Sequence, residues 1–171
     1  RDVGVDGARA LFTEADRQKR EMGRTLPLAH SSQQLGMLER LVGNAAESER
    51  ILREGVTVLT EASSSAVSIV AAFHAESLYD LARYDDADRA AQTAINSWGM
   101  DIASSVIGMR VRAMVSARAG RFDDAERTAR EALGMIDETD FIIDRGDARV
   151  GLAEVLELAG RREEAIAVAR D

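Results

Sequence analysis

Gly120-Arg121-Phe122-Asp123-Asp124-Ala125-Glu126-Arg127 is the stretch on which the reading of this chain turns. Upstream it is echoed by Ala82-Arg83-Tyr84-Asp85-Asp86-Ala87-Asp88-Arg89, and downstream by Gly160-Arg161-Arg162-Glu163-Glu164-Ala165. Weaker copies are Gly43-Asn44-Ala45-Ala46-Glu47-Ser48-Glu49-Arg50 and Gly4-Val5-Asp6-Gly7-Ala8-Arg9. The small residue of each copy falls at Ala8, Ser48, Ala87, Ala125 and Ala165, giving steps of 40, 39, 38 and 40 residues. A steady period of this length is the mark of a repeat architecture.

Each period holds two helices. The first ends at Gly43, Ala82, Gly120 or Gly160, mostly the glycine that a helix C-terminus prefers. The second starts at once, with acids such as Asp85 or Asp123 at its positive end. The pattern predicts helices over 5–22, 27–42, 45–61, 64–82, 85–97, 101–119, 122–137, 141–159 and 162–170, with Asp101 and Asp140 as N-caps. Small residues also stand twelve before the turn residue (Gly36, Ala75, Ala113, Ala153) and seven after it (Ala15, Gly55, Ala94, Ala132). Only Gly, Ala or Ser fits where antiparallel helices approach closely, so these columns mark helix contacts. The expected fold is all-α, a right-handed superhelix of about four and a half helical hairpins. The expected units of this single domain are 1–24, 25–62, 63–99, 100–138 and 139–171.

Composition agrees. Aromatics are 4% of the chain and Pro27 is the sole proline, while Ala, Leu, Arg and Glu favour helix nearly everywhere. A β-sandwich would need far more Val, Ile, Thr and aromatic residues. The net charge of −8, with basic residues interleaved among acids, argues against a nucleic-acid surface or an anionic membrane as partner. No cysteine is present, and His30 and His74 lack a ligating pattern, so neither thiolate chemistry, a metal nor any other cofactor is expected. No apolar run reaches the length of a membrane span, and none reads as a signal peptide, so a cytoplasmic setting is expected. The chain opens on Arg1 and stops at Asp171 within a helical pattern, which reads as a fragment of a larger protein.

The columns resemble the tetratricopeptide repeat, although the period exceeds that family's 34 residues and the usual early tryptophan of the first helix is missing. Longer helices or loops explain the first departure. Leu78–Ala87, Arg112–Ala125 and Thr139-Asp140-Phe141 further resemble the C-terminal helical-repeat region of actinobacterial multidomain regulators. Those proteins join a signal-transducing AAA-like ATPase to a class III cyclase, winged-helix or LuxR-type output domain. The resemblance implies a protein-interaction or regulatory module that binds a protein or peptide, including another domain of its own chain. No P-loop pattern is present and no cyclase metal motif is assignable, so neither activity is expected of these residues.

No catalytic constellation stands out. G-x-S-x-G is absent, Ser63-Ser64-Ser65 reads as a loop with an N-cap, and the pairs Asp85/Asp86, Asp123/Asp124 and Glu163/Glu164 recur in phase as turn caps. No enzyme is expected. Met100, Met109, Met114 and Met135 read as core filler or as an adaptable groove lining.

In a tetratricopeptide superhelix the first helices line the concave face. Column counting places Gln33, Met37 and Arg40 there, then Glu76, Tyr79 and Asp80, then Arg110, Met114 and Arg118, and finally Glu154 and Glu157. Ala117 is assigned to the same open face. Charge alternates from unit to unit, which reads either as a ladder of ion pairs or as a mixed-charge groove for a peptide. Glu49-Arg50, Asp88-Arg89 and Glu126-Arg127 on the second helices read as a solvated back. Two other roles remain open: a superhelix sensing a small molecule or peptide, and an oligomerisation scaffold.

Overall fold

The computed structural model describes residues 4–23, 25–96 and 101–170. Among them are nine helices and no strand: α1 (Val5–Glu21), α2 (Thr25–Leu41), α3 (Ala45–Glu61), α4 (Val67–Asp80), α5 (Tyr84–Asn96), α6 (Ile102–Arg118), α7 (Phe122–Asp137), α8 (Ile142–Leu158) and α9 (Arg162–Arg170). Met100 and the expected unit boundaries at 24, 99 and 100 lie outside the described residues.

The turn motif works as a C-cap. At Gly43, Gly120 and Gly160 the backbone enters the left-handed region, with φ of 82°, 77° and 79°. The next residue's N–H then reaches back to an orphan carbonyl: Asn44 to Glu39 O at 2.8 Å, Arg121 to Ser116 O at 3.0 Å, Arg161 to Leu156 O at 2.9 Å. Ala82 does the same work without being glycine, at φ 56°, while Arg83 N–H donates to Leu78 O at 2.9 Å.

Consecutive helices pack throughout, and α2 also packs on α4, α4 on α6 and α6 on α8. Among the described residues the backbones of the odd-numbered helices pack on even-numbered ones and not on each other. The even helices therefore form one continuous inner layer and the odd ones an outer row, which curves the stack into a helical-repeat superhelix. The core between the layers is built on the small-residue columns. Ala75, Ala87, Ala91, Ala113, Ala125 and Ala129 are buried, with Leu78, Val111, Leu152, Val155 and Leu156 filling between them. A Cβ at Gly36 would stand 2.5 Å from Leu52 Cγ, and one at Gly55 would stand 2.0 Å from Ser32 Oγ, so the closest approaches sit where only glycine fits.

Two helix starts differ from the expectation. Asp140 is not the N-cap of α8. Phe141 holds that position, its N–H donating to Thr139 Oγ1 at 3.2 Å, and Asp140 receives the Ile142 N–H through its backbone carbonyl. The α4 helix begins at Val67 rather than Ser64, because Ser63 turns left-handed (φ 51°) and a single tight turn follows it. Asp101 does precede α6, but its carboxylate takes the Ser104 hydroxyl rather than a backbone N–H.

Candidate functional site on the inner layer

The even helices bring most of the expected inner residues into two networks. In the first, Arg40 of α2 donates to Glu76 Oε2 at 3.1 Å and to Asp80 Oδ2 at 2.6 Å, both on α4. From the other side Arg110 of α6 donates to the second oxygen of Glu76 and to the Asp147 carbonyl on α8 at 3.3 Å. Glu76 is thus held between arginines from the preceding and following units, and it is buried.

In the second network Tyr79 of α4 donates its hydroxyl to Glu154 Oε1 of α8 at 2.5 Å. Arg118 of α6 donates to that same Tyr79 oxygen at 2.9 Å and to Glu154 Oε1 at 2.8 Å. The Arg118 guanidinium stands 5.8 Å from the Tyr79 ring centroid, and the Tyr84 ring lies tilted 5.3 Å from it. Burial pushes the Tyr79 hydroxyl up to about 12, so it acts as a donor at all physiological pH. Its hydrogen bonds to Tyr79 and Glu154 hold the Arg118 guanidinium above its ordinary value.

The remaining residues are placed less evenly. Gln33 and Met37 are half-buried on α2, and Glu157 is exposed on α8. Two residues expected in an open groove are covered. Met114 and Arg110 are each only 8% exposed, because α8 crosses above them and Gly151 lets the Arg110 stem in. A Cβ at Gly151 would stand 2.4 Å from Arg110 Cγ. Ala117, assigned to the same face, is likewise buried. Burial lowers the Arg110 guanidinium from its ordinary value, and its Nε is buried with no hydrogen-bond partner.

The outer row is not simply solvated. Glu49 is buried and accepts from Arg83 of the next turn at 3.2 Å, with His74 Nε2 3.3 Å away. Arg161 reaches Glu126 in the same way, one unit from the chain's end. The arginine after each of these acids, Arg50 or Arg127, stays exposed and pairs within its own helix. At the other end Arg9 of α1 grips buried Glu39 with two bonds, at 2.6 and 3.0 Å. An arginine after the turn residue, in step with an acid after the turn's small residue, is the signal for this clamp at Glu49–Arg83 and Glu126–Arg161, whereas between them Asp88 pairs with Arg112 of α6.

No protein-family model matches the chain, and no curated protein does. Solved structures do. A kinesin light chain-like protein of Podosopora anserina, with nearly identical TPR-like repeats, is 14% identical and superposes with a TM-score of 0.67 over 97% of this chain and 84% of its own. BtubC (BKLC) from P. vanneervenii, also 14% identical, gives a TM-score of 0.62 over 99% of this chain and 89% of its own. The fold is TPR-like. Among the described residues no helix is long and apolar enough to cross a membrane.

Proposed function

We propose that the chain is a recognition module that docks a protein or peptide segment along its inner layer. The observation that supports this reading is the division of labour between the layers. Polar side chains that differ from unit to unit, Arg40, Tyr79, Asp80, Arg118 and Glu157, stand on the even helices, while the outer row repeats one acid-and-arginine pattern. A curved layer bearing varied polar groups selects among extended or helical ligands by side-chain complementarity. The TPR-like fold supports binding of this kind.

The finer reading rests on sequence. The stretches Leu78–Ala87 and Arg112–Ala125 resemble actinobacterial multidomain regulators, so the proposed setting is a cytoplasmic signalling protein whose ATPase core or partner docks here. Preferential binding to one state of that protein would set its activity. Recognition, not catalysis, is the proposed role.

A peptide-display selection against the full chain tests the inner-layer reading. Selected peptides are expected to lose at least tenfold in affinity on Arg40→Gln or Asp80→Asn, and to be indifferent to Arg89→Gln or Arg127→Gln. The reverse pattern would place binding on the outer row and overturn the proposal.

A further inference from the structure

Because the backbones of α3 and α5 do not pack on each other, a groove runs between them, floored by α4. Its volume is about 260 Å³. His74 stands on the floor, and Val56, Ala71 and Ala90 give the groove apolar walls.

The next units of the stack show what holds the position of His74 elsewhere. His74 lies thirteen residues before the turn alanine Ala87, as Arg112 lies thirteen before Ala125 and Leu152 thirteen before Ala165. Arg112 lays its side chain along α5, donating to Asp88 at 2.9 Å and to Gln92 at 2.5 Å. Leu152 is buried. The shorter imidazole of His74 leaves open the room that Arg112 takes in the following unit. Glu49 and Arg53 correspond to Asp88 and Gln92, so this groove presents a cation where its neighbour has a neutral amide.

The charges around the groove do not cancel. Arg53, Arg83 and Arg89 line it together with two acids, Glu49 and Asp86. Buried Glu49 is shared by Arg83 at 3.2 Å, His74 at 3.3 Å and Arg53 at 3.6 Å. Asp86 is shared by Arg83 and Arg89. Both acids are thus saturated, while among the described residues Arg53 reaches only Glu49 and Arg89 only Asp86. These two arginines are exposed, and each keeps guanidinium N–H groups for a guest. Burial disfavours the charged form of His74, so the three arginines outnumber the two carboxylates by one charge.

We infer that the α3–α5 groove binds a small organic monocarboxylate, its carboxylate held by Arg53 and Arg89 and its short aliphatic body laid against Val56, Ala71 and Ala90 above His74. One negative charge balances the surplus, and a guanidinium fork matches a planar carboxylate with two N–H groups. The volume falls just under the roughly 300–1,000 Å³ of common ligand pockets, which suits a guest of a few carbon atoms. A cationic guest is opposed by the three arginines, and a bare inorganic anion would leave the apolar walls uncovered. The groove lies in the outer row, so the inference goes beyond the inner layer as a peptide site and does not rest on it.

The probe is isovalerate, titrated into the full chain while NMR follows the imidazole C–H resonances of His74, assigned by their loss in His74→Gln. Saturable shifts are expected. The titration midpoint of His74 should move upward with the acid bound, since a nearby anion favours the imidazolium. Arg53→Gln and Arg89→Gln should each weaken binding at least fivefold, with circular dichroism checking that each variant is folded. Arg40→Gln and Asp80→Asn, which score the inner layer, should leave it unchanged, so either reading can fail alone. Neutral isovaleramide and inorganic phosphate should each bind at least fivefold more weakly than isovalerate. No saturable shift, an unmoved His74 midpoint, or indifference to both arginine variants overturns the inference. Equal binding of the amide overturns it because charge is then not read, and equal binding of phosphate because the groove then holds an adventitious ion only. Tighter binding of a capped glutamyl dipeptide than of isovalerate would assign the groove to an acidic side chain of a protein and overturn it too.

Discussion

Arg110 on α6 donates to Glu76 on α4, and both side chains are almost wholly removed from water. Burying two charges costs more than their attraction returns unless every polar atom is served, and Arg110 Nε is not. Removing one partner is worse than removing both. Arg110→Ala or Glu76→Ala should each cost about 3–5 kcal/mol of unfolding free energy, by strand-free helical melting in urea. The double variant Arg110→Met/Glu76→Leu should recover most of that loss. Additive losses in the double variant would mean that the pair is not coupled.

Packing at the glycines predicts opposite signs for one substitution. A Cβ at Gly108 would stand 2.8 Å from the Ala91 carbonyl oxygen, backbone that cannot swing aside, so Gly108→Ala should destabilise by about 1–3 kcal/mol. Gly134 on α7 has nothing within 4 Å of that point, and Gly134→Ala should stabilise by about 0.5–1 kcal/mol through helix propensity alone. Thermal unfolding of both variants decides the matter; equal shifts would misplace the contact between α5 and α6.

Ala82 offers a third test. Its three counterparts Gly43, Gly120 and Gly160 adopt the left-handed conformation without a Cβ, whereas Ala82 bears the steric cost of it. Ala82→Gly should stabilise the chain by about 0.5–1 kcal/mol, net of the extra freedom that glycine gives the unfolded state. A loss of stability would mean that the alanine methyl makes a packing contribution larger than the strain.

Much of this was legible in the sequence because the turn motif states a local rule. Gly43, Gly120 and Gly160 must end helices wherever they fall, and the acids after them must begin the next, so the helix bounds follow to within a few residues. An acid before an apolar run is a good N-cap by composition, which points to Asp140, whereas in the structure Thr139 is better placed to take the free N–H of Phe141. The inner residues show a different limit. Column counting tells which way a side chain points around its helix, but not how far the next helix overlies it. Arg110, Met114 and Ala117 point inward as expected and are nonetheless covered by α8, a depth set by Gly151, whose meaning emerges only once the two helices are together. Glu49 failed in the opposite direction: its charge suggested solvent, yet Arg83 from the following turn encloses it.

His74 predicts a pH dependence. It is packed among Glu49, Arg53 and Arg83, and burial depresses its imidazole below the ordinary 6.5 despite the hydrogen bond to Glu49, with both arginines adding to the depression. The unfolded chain therefore takes up this proton first on acidification. The stabilising effect of a neutral His74 is complete above pH 6.5 and is lost as pH falls through the depressed folded value. Urea midpoints at pH 7.5 and 5.5 should fall more for the wild-type chain than for His74→Gln. An equal fall would assign the acid sensitivity to other groups.

The claim that recognition runs along the inner layer is tested most directly by hydrogen–deuterium exchange of the full chain with and without a display-selected peptide. Bound peptide should slow exchange in α2, α4, α6 and α8, whose polar side chains differ from unit to unit, and leave α3, α5 and α7 at their free rates. Protection confined to α3, α5 and α7 would contradict the account and move the binding surface to the outer row.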